Sequence, residues 1–165
     1  MALRNIVERD GVDSETLYKR CRPVDDVNDR IRAMLDDMVE TMRQAGGVGL
    51  AAPQVGILRR LFVAEPEPDE VYYFVNPEIV KTEGNQESQE GCLSVPGYVG
   101  IVDRPEKITI RGLDRNGKMQ EMEFEGFAAT VMCHEYDHLD GILYTQKARD
   151  VRLITEDDEE TEDDR

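Results

Sequence analysis

The chain has 165 residues and a formal net charge of −16, so we expect one domain with a buried core and no broad basic surface for nucleic acid. Three cysteines, an odd number, give no disulfide framework, no stretch approaches the ~18 apolar residues that span a bilayer, and the N-terminus lacks a signal-peptide core. The composition therefore predicts a cytoplasmic protein, or an organellar one if it is processed from a precursor, with no membrane partner.

The first predicted element is an amphipathic helix within residues 26–46. Its apolar positions are Val27, Ile31, Met34, Leu35, Met38, Val39 and Met42. Steps of three and four residues place these side chains on one face of a helix, and the following Gly46-Gly47 is a stop signal. We expect this face to pack against the core.

The middle of the chain predicts strands followed by a second helix. Residues 58–64 and 71–75 are rich in β-forming residues and are separated by a turn at residues 66–68. Residues 107–113 and 119–124 flank an Asn-Gly turn, which indicates a hairpin. The second helix should begin near Gly126 or Phe127 and end near Gly141. Without βαβ alternation, these elements predict an α+β fold with antiparallel strands around a central helix.

The end of the chain is strongly acidic. Eight of residues 156–165 are acids and one is a base. Such a segment repels itself and has almost nothing apolar to bury. We therefore predict a single folded domain in residues 1–150 and a disordered tail in residues 151–165. The tail from about Asp150 onward should be dispensable for chemistry.

Both histidines of the chain, His134 and His138, lie four residues apart on the second predicted helix, with Glu135 between them. Side chains at this spacing share one helix face, so both imidazoles can reach one metal ion. The glutamate can exchange a proton with water at that ion, which is the arrangement of metallohydrolases. The central helix is therefore predicted to bind a metal.

A catalytic site of this kind needs a third protein ligand and one open position. Metzincins use a histidine six residues after the second one, where this chain has Tyr144. Thermolysin-like enzymes use a downstream glutamate, and the candidates lie in the acidic tail: Glu156, Glu159 and Glu160. The Pro-Cys-x-x-Cys motif of nucleobase deaminases is absent from the sequence.

The remaining soft ligands are three cysteines. Cys133 directly precedes His134, so on a helix it points about 100° away from the ligand face and suits a buried packing role. Cys21 lies among basic residues, far in sequence from the other candidates, and is interpreted as structural. Cys92 follows a glycine, which permits close backbone approach. A cysteine beside a glycine is a weak signal by itself.

Three segments together resemble the ordered motifs of peptide deformylases. They are Gly47-Val48-Gly49-Leu50-Ala51-Ala52-Pro53-Gln54, Glu90-Gly91-Cys92-Leu93-Ser94 and His134-Glu135-Tyr136-Asp137-His138. The resemblance runs from the first predicted helix to Tyr144. It implies a hydrolase that removes the formyl group from the N-terminal formyl-methionine of new polypeptides and releases formate.

The resemblance implies a role for each motif residue. The metal ligands would be Cys92, His134 and His138, holding one divalent ion. That ion would be Fe²⁺ in the cell, with Zn²⁺, Ni²⁺ or Co²⁺ as possible substitutes. Glu135 would act as general base and then acid. Gln54 and the backbone N–H of Leu93 would stabilise the charge that develops on the formyl oxygen.

The resemblance also implies how substrate would bind. The strand edge at Gly47, Val48 and Gly49 would hydrogen-bond the peptide backbone. Val48, Leu93, Phe127 and Val131 would line the pocket for the methionine side chain. Glu90 and Arg104 would form a partly buried ion pair that braces the Cys92 loop.

The expected partners are nascent formyl-methionine peptides, bound by a monomer. Some relatives carry a basic C-terminal helix that docks on the ribosome, whereas an acidic tail should weaken any such association. Two alternatives stay open. A peptidase that cuts internal bonds would need a ligand after His138, and a non-catalytic peptide-binding module with structural zinc would need a fourth protein ligand.

Overall fold

The computed structural model describes residues 2–154, and Glu156, Glu159 and Glu160 lie outside this range. Two α-helices and eight β-strands follow in chain order. They are α1 (Asp29–Gln44), β1 (Gly49–Ala51), β2 (Leu61–Glu67), β3 (Glu70–Glu83), β4 (Gln86–Cys92), β5 (Val95–Arg104), β6 (Lys107–Leu113), β7 (Met119–Glu125), α2 (Phe127–Leu139) and β8 (Arg149–Leu153). The α+β class is confirmed.

All strand pairs in the two sheets are antiparallel. A five-stranded sheet has the order β1-β2-β3-β6-β7, so β1 is an edge strand. A three-stranded sheet has the order β4-β5-β8. The predicted hairpin is present as β6 and β7, with Leu113 opposite Met119 across the turn.

The two helices cover opposite faces of the five-stranded sheet. Side chains alternate along β2, so that Leu61 and Val63 pack with α1 while Phe62 and Ala64 pack in the cluster that contains α2. Helix α1 begins where the Asn28 side chain accepts a hydrogen bond from the Ile31 backbone N–H at 3.0 Å. Helix α2 is largely buried, which suits a helix in the centre of the fold.

Two expected boundaries are wrong. The turn predicted at residues 66–68 lies later, because β2 continues through Pro66 and a register shift between Ala64 and Glu67 accommodates the proline. The tail predicted to be disordered from residue 151 begins with β8, which pairs with β5 and places Leu153 opposite Tyr98. Pairing with another strand, rather than local sequence, orders this segment. Residues 155–165 lie outside the described range.

None of the helices within residues 2–154 combines the length and apolar character needed to cross a membrane.

Candidate active site

The structure brings one cysteine and both histidines together. Cys92 ends β4, whereas His134 and His138 lie one turn apart on α2, and one ligand atom from each lies within 4.8 Å of the others. The Cys92 Sγ and the His138 Nε2 are 3.4 Å apart. Within residues 2–154 this is the only cluster of histidine, cysteine or acidic side chains with such spacing.

The donor set fits a divalent metal ion. Ligand bonds of about 2.0 to 2.3 Å around a tetrahedral ion place neighbouring donors about 3.5 Å apart, close to the observed sulfur–nitrogen distance. The His134 Nδ1 lies 2.8 Å from the Glu90 Oε1, which leaves its Nε2 for an ion. One thiolate with two imidazoles suits iron or zinc.

The ionisation of the two histidines is set by their surroundings. Burial lowers the pKa of His138 well below its usual value, reinforced by the positive charges of His134 and Arg104, so its imidazole is the neutral form that binds metals. Burial also opposes the charged form of His134, but hydrogen bonds with Cys92 and Glu90 outweigh it and raise that pKa. A metal ion bound by Cys92 and His134 would displace a proton from this pair.

The ion pair expected between Glu90 and Arg104 is confirmed and is more buried than predicted. The Arg104 Nε and Nη2 donate to the two Glu90 carboxylate oxygens at 2.8 Å each, and both side chains are almost fully buried. Burial would raise the pKa of Glu90, but the hydrogen bonds from Arg104 and His134 outweigh it and lower that pKa to about 2. Glu90 therefore remains an anion that fixes the ring of His134.

Glu135 lies beside the ligand cluster and is 4 % exposed. Its Oε1 is a buried atom without a hydrogen-bond partner, and burial raises its pKa to about 7. A Cβ added at Gly49 would overlap the Glu135 carboxylate, so only a glycine leaves room for the carboxylate there. This close approach explains why the motif glycine lies at the start of β1.

Gln54 lies in a 3₁₀ turn (Ala52–Val55) directly after β1 and is buried. The Ala51 backbone N–H donates to its Oε1 at 2.9 Å, which fixes the orientation of the amide. Its Nε2 therefore faces the Ser94 Oγ at 3.1 Å and the Cys92 Sγ at 3.4 Å. Gln54 thus presents an N–H donor next to the cluster.

The cluster opens into a cavity of about 380 Å³. Every pocket and catalytic residue expected from the sequence lines it: Gly47, Val48, Gly49, Gln54, Leu93, Phe127, Val131 and Glu135. Cys92 and His134 also reach the cavity, whereas His138 is fully buried behind them. Sequence reasoning missed Tyr98 and Ile154 in the wall, because neither lies in a motif.

The residues at the other positions considered for a third ligand do not join the ligand cluster. Tyr144 stacks against the His134 ring at 5.8 Å between centroids, and its hydroxyl donates to the Tyr98 carbonyl. Cys21 and Cys133 are buried outside the cluster, and burial raises the pKa of each thiol to about 11. Neutral buried thiols agree with the packing roles predicted for these two cysteines.

Comparison with known proteins decides the family. The sequence profile of the polypeptide deformylase family matches residues 6–153. The chain belongs to this family. Polypeptide deformylases are metal-dependent enzymes that remove formyl groups, and the Cys/His/His cluster described above agrees with that chemistry.

Relatives in the deformylase family cover nearly the whole chain. The peptide deformylase of Symbiobacterium thermophilum is 50 % identical across 99 % of this chain and 75 % of its own length. That of Lachnoclostridium phytofermentans is 47 % identical across 99 % of this chain and all of its own length. The agreement therefore extends beyond the three motifs.

Solved structures agree with the fold. The peptide deformylase of Thermotoga maritima superposes with a TM-score of 0.85 at 34 % identity, covering 90 % of this chain and 99 % of that one. The Ehrlichia chaffeensis peptide deformylase in complex with actinonin gives a TM-score of 0.85 at 34 % identity, covering 91 % of each chain.

Proposed function

We propose that this protein hydrolyses the N-terminal formyl amide of formyl-methionine peptides, using one divalent ion held by Cys92, His134 and His138. The observation that carries the proposal is the meeting of these three donors beside Glu135 in one cavity. We propose Fe²⁺ as the ion in the cell, because a ferrous thiolate site suits a reducing compartment. Zn²⁺, Ni²⁺ and Co²⁺ have compatible ligand chemistry.

The bound ion would supply Lewis acidity toward the formyl oxygen and toward a water molecule. Glu135 is the base that takes the proton of that water, because its buried carboxylate lies beside the ligand cluster. The water oxygen then bonds to the formyl carbon, and the carbon–nitrogen bond breaks. Glu135 returns the proton to the leaving amine, so that formate and a free N-terminus are released.

Negative charge develops on the formyl oxygen during attack and requires a fixed donor. The Gln54 Nε2 suits this role because its amide is held by the Ala51 N–H and faces the cluster. The backbone N–H of Leu93, the residue after Cys92, is the second proposed donor. Removal of one such donor typically lowers kcat by about 10²- to 10³-fold.

Substrate specificity would come from the apolar part of the cavity. Val48, Leu93, Phe127 and Val131 line it and offer a surface for an unbranched methionine side chain. Strand β1 lies at a sheet edge, so the backbone of a peptide can add to residues 47–49 as a further strand. We propose nascent formyl-methionine chains as the substrates and a cytoplasmic monomer as the acting species.

The ligand assignment is tested by paired cysteine variants. Cys92→Ser should lose bound metal and formate release on a short formyl-Met peptide, whereas Cys21→Ser should retain both. Cys21 is the matched control because it is also a free cysteine but lies outside the cluster. Metal loss from the Cys21 variant, with retention in the Cys92 variant, would overturn the assignment.

A further inference from the structure

The metal-ligand cluster is connected to the protein surface by charged side chains in series. His134 contacts Glu90, Glu90 contacts Arg104, Arg104 contacts Asp137, and Asp137 contacts Lys147, with each closest distance between 2.7 and 3.0 Å. The side-chain exposure along Glu90, Arg104, Asp137 and Lys147 is 4, 3, 13 and 44 %. The series therefore begins in the core and ends at solvent.

Arg104 is shared between two carboxylates. Its Nε and Nη2 donate to Glu90, while its Nη1 donates to the Asp137 Oδ2 at 2.7 Å. The Lys147 Nζ lies 3.0 Å from the same Asp137 oxygen. Because one oxygen serves two cations, loss of Lys147 would leave the charge of Asp137 balanced by Arg104 alone.

We propose that Asp137 and Lys147 are positioning residues that hold the Arg104 guanidinium against Glu90 and thereby fix His134 for metal binding. Asp137 accepts a hydrogen bond from Nη1, the third guanidinium nitrogen, and so ties Arg104 to the same helix that carries His134 and His138. Lys147 balances the charge of Asp137, so that the carboxylate does not draw Arg104 away from Glu90. The inference rests on the proposed metal site and adds two residues that touch neither metal nor substrate.

The physical basis is the effect of outer partners on metal ligands. A carboxylate that accepts the second ring nitrogen of a histidine sets the orientation and basicity of that ligand, and loss of such partners typically costs 10- to 100-fold in metal affinity. Asp137 acts one step further out, so we expect about a tenfold effect. Lys147 is partly exposed and screened by solvent, so we expect about threefold.

The test compares Asp137→Asn, Lys147→Gln and the double variant in the full-length protein loaded with Co²⁺. The measured quantities are the rate of Co²⁺ release to a chelator and the absorption bands of the bound Co²⁺. Arg149→Gln is the matched control. It also removes one positive charge from the surface, but that charge forms ion pairs with Glu87 and Asp103 rather than with Asp137. Circular dichroism checks that each variant is folded.

We expect Co²⁺ release to accelerate about tenfold in Asp137→Asn and about threefold in Lys147→Gln, with shifted absorption bands. The double variant should equal Asp137→Asn, because Lys147 acts only through Asp137, and Lys147→Arg should restore the wild-type rate. Release from Lys147→Gln at the rate of Arg149→Gln, or additive effects in the double variant, would overturn the inference. Failure of the wild-type protein to bind Co²⁺ would instead overturn the proposed metal site.

Discussion

Two buried carboxylates beside the ligand cluster differ in how their oxygens are satisfied. The Glu90 carboxylate accepts two hydrogen bonds from Arg104, and its Oε1 also lies 2.8 Å from the His134 Nδ1, which fixes that ring. The Glu135 Oε1, in contrast, is a buried atom without a hydrogen-bond partner. A paired carboxylate holds a ligand in place, and an unpaired carboxylate is available as a base for substrate chemistry.

The largest expected effect tests the unpaired carboxylate of Glu135. Glu135→Gln should retain the metal and the fold but lower kcat by about 10⁴-fold, because one residue carries the proton in both steps. Formate release from a formyl-Met peptide measures kcat, and metal analysis of the same sample provides the control. A variant with half of the wild-type activity would refute the role of Glu135.

The second effect tests the paired carboxylate of Glu90. Arg104→Ala leaves the Glu90 carboxylate buried without its guanidinium, so unfolding free energy should fall by about 3 to 5 kcal/mol. Metal affinity should fall about 10- to 100-fold as His134 loses its fixed partner. Chemical denaturation and chelator competition measure the two quantities. Unchanged stability and affinity would mean that the pair does not brace the Cys92 loop.

The smallest effect concerns the end of the chain, where two truncations are informative. Deletion of residues 156–165 should leave kcat/KM on a short formyl-Met peptide within about twofold, a difference of roughly 0.4 kcal/mol. Deletion from residue 149 should raise KM, because it removes β8 and Ile154, which lines the cavity and donates to the Gly97 carbonyl at 2.8 Å. A hundredfold loss from the shorter deletion would instead assign the acidic residues to the site.

The elements that the sequence predicted are those with strong local signals. Helix α1 follows its apolar spacing, the β6–β7 hairpin follows its Asn-Gly turn, and α2 ends at Leu139, two residues before the predicted Gly141. Strands β4, β5 and β8 escaped prediction because they are polar or contain glycine and proline. Pairing with other strands stabilises them, and a single-sequence pattern does not encode that pairing.

The residues of the site likewise fall into those with a local sequence signal and those without one. The helical spacing of His134 and His138 identified two ligands, and the motif resemblance identified Cys92, for which the adjacent glycine was only a weak signal. The contact of Asp137 with Arg104 was not predicted, because it joins residues 33 positions apart on α2 and β5. Tertiary contacts of this kind cannot be predicted from the pattern of a single sequence.

The most direct test of the central claim is a titration of metal-free protein with Fe²⁺ under anaerobic conditions, followed by formate release from a formyl-Met peptide. We expect no release without metal and a linear rise that ends at one equivalent of Fe²⁺ per chain. Full activity in the chelated protein, or a rise that continues to two equivalents, would contradict a single ion held by Cys92, His134 and His138.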